Sequence, residues 1–356
     1  MIADPSSYLG DPGRAPTDHP VAGLVGFYGW GNYGDELFLE AFRSYLEPTV
    51  RMEPLVGPDW VPRPALRRGV LNSDVVVIGA GDLLRPWVKN RYWKPVSLNR
   101  PVFIAGIGVP SWGGTSDAIV DELRRFFGHP NVRAIGVRDA GSGEWIREHL
   151  VPSVPVRVAP DLVCALDLPA VERPVDPPIF GVAVRQRETP DDLSEVRRLC
   201  QRALSLGYRL RRIVLATGRV RENDLVATAS LGFEDAELIS SDDLSVITKA
   251  IGECTVFATM KFHGVVVATM SGTIPIAMMP TTKTRNFLTD IGRTDLLSYF
   301  GHADLADHLQ PDMAPIAPET PARLHAGAVA YLNDLRSDIA AVAADGYGRA
   351  GSARRR

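Results

Sequence analysis

The stretch SDVVVIGAG, residues 73–81, decides the fold class, because it is an unbroken apolar run that ends in small residues. A strand that is apolar on both faces must be covered on both, which is typical of a parallel sheet. The stretch RPVFIAGIGVP, residues 100–110, repeats the pattern, and segments with helical periodicity separate such runs. This alternation predicts a doubly wound, Rossmann-like α/β domain over residues 21–168.

A proline-rich stretch divides the chain. Residues 169–178 fall within LPAVERPVDPP, which can form neither an ordinary helix nor a central strand, so we predict a linker there. The α/β alternation then restarts and predicts a second Rossmann-like domain over residues 179–316, followed by a C-terminal helix over residues 317–345. Two such domains predict a glycosyltransferase-B-type architecture with an interdomain cleft.

Composition excludes several classes of protein. The 356 residues carry a net charge of −3, so no general affinity for nucleic acid is indicated. No apolar run approaches the roughly 20 residues that span a bilayer, and the polar start does not resemble a signal peptide, so a cytoplasmic protein is expected. We predict a flexible arm over residues 1–20, a disordered tail over 346–356 and reduced, buried cysteines.

A glycine-rich loop, GFYGWGNYGDELF, lies between the first predicted strand and helix. It lacks the lysine of a nucleotide-binding loop, and Asp35 and Glu36 occupy the place where a phosphate would sit. A neutral polyol would instead find two carboxylates and the amide of Asn32. The alternative is that Asp35 only caps its helix.

Cationic groups follow the strands of the second predicted domain. Lys261 and His263 come directly after a buried strand and precede a helix, where the helix dipole adds positive potential. Arg185 ends the strand IFGVAV, and Lys283 and Arg285 follow the next strand-to-helix loop. Together they predict an anion site. The alternatives are a histidine that caps a core turn and a solvated loop at Lys283.

Asp82 follows the first quoted strand, in VVIGAGDLL. A carboxylate at the end of a strand can accept hydrogen bonds from sugar hydroxyls, and the neighbouring glycines keep space open. The alternative is a helix cap.

Several of these segments, taken in order from about residue 21 to residue 300, resemble the polysaccharide pyruvyl transferases. The segments that carry the resemblance are GFYGWGNYGDELFLEAF, VVVIGAGDLL, RPVFIAGIGVP, IGVRDAGSGEWI, VAPDLVCALDLP and MKFHGVVVATMSGTIPIAMMPTTKTRNFLTDIG. The resemblance implies transfer of the pyruvyl group of phosphoenolpyruvate onto two hydroxyls of a sugar, forming a cyclic ketal and releasing phosphate. It also implies a glycan or lipid-linked glycan acceptor.

The chain departs from the family pattern at three points. Lys261 stands where the family has arginine, which removes a bidentate anion clamp. Ala80 stands where the family has a further glycine, and residues 280–283 replace an aromatic-Asp-x-Lys stretch.

The predicted chemistry assigns a role to each candidate residue. Phosphoenolpyruvate carries two anionic groups and needs several cations, and C3 of the donor must receive a proton. The predicted donor-binding residues are Arg185, Lys261, Lys283 and Arg285; the predicted acid is His263; and the residues predicted to orient or deprotonate hydroxyls are Asn32, Asp35, Glu36 and Asp82. No metal cluster is visible in the sequence, and no cofactor beyond the donor is expected.

Two other functions stay open from the sequence. One is a nucleotide-sugar-dependent glycosyltransferase of the same fold, although residues 264–280 lack the carboxylate that commonly holds a ribose. The other is a non-catalytic carbohydrate-binding member of a biosynthetic cluster. The sequence also leaves open whether the chain forms a homo-oligomer.

Overall fold

A computed structural model describes residues 19–47, 49–56, 63–89, 92–186 and 192–353. These residues form two compact units, each built on a parallel sheet. The first unit comprises the described residues of 1–29, 38–165 and 327–356, and the second those of 30–37 and 166–326.

The sheet of the first unit has six parallel strands. They are β1 (Val21–Val25), β2 (Arg51–Val56), β3 (Val75–Gly81), β4 (Val102–Ile107), β5 (Val132–Val137) and β6 (Val156–Val158), in the spatial order β2-β1-β3-β4-β5-β6. The connecting helices are α1 (Tyr33–Leu46), α2 (Arg63–Asn72), α3 (Asp117–Phe127) and α4 (Ala140–Leu150). Because the chain leaves β1 for β2 on one side and continues from β3 on the other, the sheet has a topological switch point between β1 and β3.

The sheet of the second unit has five parallel strands. They are β7 (Ile179–Ala183), β8 (Arg209–Ile213), β9 (Glu237–Ile239), β10 (Val256–Thr259) and β11 (Ile274–Ala277), in the spatial order β11-β10-β7-β8-β9. The helices are α5 (Ser194–Ser205), α6 (Gly218–Ala229), α7 (Leu244–Gly252), α8 (Phe262–Met270) and α9 (Thr282–Asp290). The chain runs outward from β7 to β9 and returns at β10, so the switch point lies between β7 and β10.

The last helix, α10 (Glu319–Ala353), belongs to the first unit from Gly327 onward. Its Tyr331 lies against Gly136 of β5, where a Cβ would meet the tyrosine hydroxyl at 1.8 Å. The helix extends past the end predicted at residue 345 and into the stretch predicted to be disordered. The predicted arm lies outside the described residues as far as residue 18, as do residues 354–356.

The predicted fold class is confirmed, since both units are α/β with parallel sheets. Two elements of the first unit were not predicted, β2 and α2. Strand β2 contains Pro54 and lies at the sheet edge, where the lost ladder hydrogen bond is tolerated.

The described residues 166–178 form neither helix nor strand, and the three cysteines are buried and free. None of the described helices combines the length and the apolarity that crossing a membrane requires.

Candidate active site

The switch point of the second sheet brings two strand ends together. Ala183 of β7 lies opposite Thr259 of β10, and the amide of Met260 donates to the carbonyl of Ala183 at 3.0 Å. The residues that follow these two strands are therefore neighbours. They include Arg185, which is exposed, and Lys261, which precedes α8.

Lys261 is held from both ends. Its backbone amide donates to the hydroxyl of Thr259 at 3.0 Å, and its ammonium donates to the carbonyl of Leu215 at 2.8 Å. The ammonium also forms an ion pair with Asp224. Burial lowers the pKa of Lys261 below the usual range of lysine, while the charge of Asp224 opposes this shift.

The charges around Lys261 show which other predicted residues lie near it. Arg185 lowers the pKa of Lys261 by like-charge repulsion, and Asp35 acts in the opposite direction. Two of the cations predicted for the donor and one of the predicted carboxylates therefore belong to one electrostatic neighbourhood.

Asp224 is a site residue that the sequence reasoning missed. Its side chain is 4% exposed, its Oδ1 accepts from the amide of Gln186 at 3.1 Å, and it also pairs with Lys261. It therefore joins the loop after β7 to the start of α8. It was missed because α6 has no continuous apolar stripe, and NDLVAT resembles a surface segment. The sequence pattern that could have identified it is the helical spacing of Asp224, Ala227 and Thr228, which places all three on the buried face of α6.

His263 lies in the first turn of α8 and is 8% exposed. Its ring packs against the ring of Phe262, with the centroids 5.0 Å apart. On its other side it meets the first turn of α1, because a Cβ built on Gly34 would fall 1.6 Å from Nδ1 of His263. Only glycine fits this approach of backbone to imidazole.

The loop before α1 is fixed by backbone contacts to the loop after β8. Asn32 forms an antiparallel bridge with Ala216, and the amide of Thr217 donates to the carbonyl of Gly31 at 2.7 Å. Residues 30–37 are accordingly grouped with the second unit, although the prediction assigned them to the acceptor-side domain of residues 21–168.

The polar side chains of this loop bond to one another. The amide of Asn32 donates to the carboxylate of Asp35, and the carboxylate of Glu36 accepts from the amide of Gly31 at 2.9 Å. The amides of Asp35 and Glu36 both donate to the carbonyl of Asn32, at 3.0 and 3.1 Å. Glu36 therefore closes the loop, whereas Asp35 also acts electrostatically on Lys261.

The two cations of α9 differ in position. The ammonium of Lys283 lies 5.4 Å from the ring centroid of Phe262, the neighbour of His263. Arg285 is exposed, and its Nε donates to the carbonyl of Pro280 at 3.2 Å. Of the two, Lys283 is the one that contacts a site element.

Asp82 belongs to the first unit and forms an ion pair with Arg138. Burial tends to lower the pKa of Arg138, but Asp82, Asp161 and Asp139 together raise it above the usual range of arginine. No helix begins at Asp82, so the helix-cap alternative is wrong for this residue. Asp139 is the helix cap here, since its carboxylate accepts from the amide of Ser142 at 2.8 Å.

Solved structures share this fold at low sequence identity. UDP-N-acetylglucosamine 2-epimerase from Rickettsia bellii has a TM-score of 0.52 and 11% identity, covering 91% of this chain and 97% of that one. The UDP-GlcNAc 2-epimerase from Methanocaldococcus jannaschii has a TM-score of 0.55 and 8% identity, covering 88% and 99%. The S. aureus MnaA-UDP structure has a TM-score of 0.55 and 10% identity, covering 81% and 86%. These likenesses show the fold, which is of the glycosyltransferase-B type.

At the level of sequence, no curated protein matches the chain. Residues 32–279 match the family described as polysaccharide pyruvyl transferase. The match begins at Asn32 and includes Arg185, Asp224, Lys261 and His263. The chain is therefore a transferase that belongs to the polysaccharide pyruvyl transferase family.

Proposed function

We propose that this chain transfers the pyruvyl group of phosphoenolpyruvate onto two hydroxyls of a sugar or glycan, forming a cyclic ketal and releasing phosphate. The observation that carries the proposal is that Arg185 and Lys261 follow the neighbouring strands β7 and β10, with His263 in the first turn of the next helix, in a chain of this family.

Arg185 and Lys261 bind the donor. Phosphoenolpyruvate has a phosphate and a carboxylate, and the guanidinium of Arg185 is exposed and matches either group with paired hydrogen bonds. Lys261 adds a compact charge that Leu215 and Asp224 hold in place. Because lysine replaces the family's arginine at position 261, Arg185 is the guanidinium that can form paired hydrogen bonds to an anion, and Lys261 contributes a point charge. Lys283 lies in the next helix, α9.

His263 supplies the proton that starts the reaction. The imidazolium transfers its proton to C3 of the donor, and the carbon–carbon double bond supplies the electron pair, which leaves C2 with oxocarbenium character. The first sugar hydroxyl adds to C2 and loses its proton. The C2–O bond to phosphate then breaks, phosphate leaves with the electron pair, and the second hydroxyl adds to C2 and loses its proton to close the ketal.

Asp35 is the base that we assign to the hydroxyls. Asp35 and Glu36 both accept hydrogen bonds within the loop, from Asn32 and Gly31, so their electrostatic surroundings decide between them. Asp35 lies within electrostatic reach of Lys261, and so beside the donor's anionic groups. In this proposal the substrates are the donor and the sugar acceptor, and no cofactor takes part.

The proposal is tested with phosphoenolpyruvate labelled with ¹³C at C3, in D₂O, together with a panel of disaccharides that contain glucose, galactose, mannose, N-acetylglucosamine and N-acetylmannosamine. We expect phosphate release that depends on the saccharide, and a ketal methyl group that carries one deuteron. Consumption of a UDP-, GDP- or TDP-sugar without consumption of phosphoenolpyruvate would instead support a glycosyltransferase. Saccharide binding without any turnover would support the non-catalytic function.

A further inference from the structure

Trp112 lies in the loop after β4 and is 69% exposed. Large aromatic side chains bury much of their surface in most folds, and a contiguous exposed apolar surface with polar neighbours marks an interaction site. Its neighbour is Trp87 from the loop after β3, with ring centroids 4.6 Å apart in an edge-to-face arrangement. Val88, beside Trp87, is 42% exposed and extends the apolar surface.

The two loops hold this pair in a fixed arrangement. At their base the amide of Gly108 donates to the carbonyl of Gly81 at 3.0 Å, and further out the amide of Ser116 donates to the carbonyl of Pro86 at 2.8 Å. Gly113 lies directly under the indole of Trp87, since a Cβ there would fall 2.0 Å from the ring. Trp87 is half-buried by this packing, and Trp112 is left exposed beside it.

The chemistry of this surface selects a class of ligand. A pyranose ring has one face of C–H bonds, which carry partial positive charge and stack on the negative face of an indole. Its edge carries hydroxyls, which need acceptors. Asp82 starts the same loop as Trp87 and retains partial exposure, its side chain being 22% accessible. Both loops lie at the carboxyl edge of the first sheet, and the loop after β3 borders the switch point, where open α/β sheets bind ligands.

We propose that Trp112 and Trp87 form a stacking surface for a pyranose ring of the acceptor saccharide. This rests on the proposed function, because it assigns the acceptor of that reaction to a surface of the first unit. Its residues belong to the first unit, whereas the cations proposed for the donor belong to the second.

The test uses the full-length chain labelled with 5-fluorotryptophan, in which the variant Trp112→Phe identifies the Trp112 resonance. We expect a saturable shift of that resonance when members of the disaccharide panel are added without donor. Trp112→Ala should weaken saccharide binding at least tenfold, Trp112→Phe should weaken it less, and phosphoenolpyruvate affinity should stay within twofold in both. Val158→Ala removes another exposed side chain of the first unit and is the matched control, with no change expected.

The outcomes separate this inference from the proposed function. If phosphoenolpyruvate is consumed with the acceptor and Trp112→Ala leaves the acceptor KM unchanged, the stacking surface is overturned and the reaction stands. If the Trp112 resonance responds to saccharide but no donor is consumed, the reaction is overturned and the surface stands. A resonance that no saccharide moves, or one that responds to dilution as a dimer of this chain dissociates, overturns the saccharide assignment.

Discussion

The two sheets carry different charge balances at their carboxyl edges. In the first unit, the guanidinium of Arg138 is surrounded by Asp82, Asp139 and Asp161, so carboxylates outnumber the cation. The side chain of Arg138 is 4% exposed, and it is committed to these acids. A second anion would be repelled there, whereas a neutral polyol would find acceptors.

In the second unit, an exposed cation lies beside a buried ion pair. Asp224 pairs with Lys261, while Arg185 is exposed beside that pair and Lys283 lies on the neighbouring ring of Phe262. Two parallel sheets of different strand order therefore carry different charges at their carboxyl edges, and the buried charges determine which kind of ligand each edge would favour. In the proposed function, the donor binds beside the second sheet and the acceptor beside the first.

The strongest test of this assignment is His263→Ala. Loss of the proposed acid should lower phosphate release from phosphoenolpyruvate about 100- to 10,000-fold, because proton transfer in the transition state contributes about that much. The control is His302→Ala, since His302 is exposed and lies outside the site. Turnover within threefold of the unaltered chain would contradict the acid assignment.

The contact between Gly34 and His263 gives the next largest effect. Gly34→Ala places a methyl group 1.6 Å from Nδ1, so the imidazole or the first turn of α1 must move. A displacement of about 1 Å can lower kcat about 100-fold, and we expect the donor KM to change much less. Gly301→Ala is the control, because its nearest contact is the Tyr299 ring at 3.1 Å, which can turn away. A folded Gly34→Ala variant with normal kcat would show that the ring position is not critical.

Arg185→Ala tests the exposed cation. Loss of a charge-assisted hydrogen bond is worth about 1.5–3 kcal/mol, so we expect donor affinity to fall about 10- to 100-fold by calorimetry. Arg209→Ala removes an exposed arginine from the amino end of β8, the opposite edge of the same sheet, and should leave donor affinity unchanged. If the two variants lowered donor affinity equally, Arg185 would act only through the net charge of the protein and would not bind the donor directly.

Asp224→Asn tests how the buried pair keeps Lys261 charged. Lysine is protonated below its pKa; burial lowers the pKa of Lys261, and the charge of Asp224 opposes that shift. Without this carboxylate the pKa of Lys261 falls further. As the pH rises, the donor affinity of the variant should therefore begin to fall at a lower pH than that of the unaltered chain. At a pH between the two titration midpoints, the affinity of the variant should be about tenfold lower. Asp242→Asn, which removes a surface partner of Arg221, should leave the pH profile unchanged. Superimposable profiles for Asp224→Asn and the unaltered chain would contradict the role.

Much of this arrangement could be predicted from the sequence. Unbroken apolar runs predicted the buried parallel strands. The ends of two such runs predicted that Arg185, Lys261 and His263 follow strands at the carboxyl edge of the second sheet. The strand prediction is confirmed, because period and strand direction are local properties of the chain.

The remaining features depend on long-range packing. Asp224 is 37 residues before Lys261 along the chain, and no local pattern indicates that their side chains pair. The contact of Gly34 with His263 joins residues of the first and second predicted domains, so the glycine loop was assigned to the wrong neighbours. Such pairings follow from tertiary structure, which a single sequence does not display.

Lys283 and Arg285 define how far the anion site extends along α9. The ammonium of Lys283 lies 5.4 Å from the centroid of the Phe262 ring. A charge pair near the surface is worth up to about 1 kcal/mol, so Lys283→Ala should lower donor affinity about two- to fivefold. Arg285→Ala should change it less than twofold, because Arg285 is exposed and donates to the carbonyl of Pro280. Calorimetric titration of both variants with phosphoenolpyruvate checks the order, and a larger loss in Arg285→Ala would move the edge of the site from Phe262 to the outer face of α9.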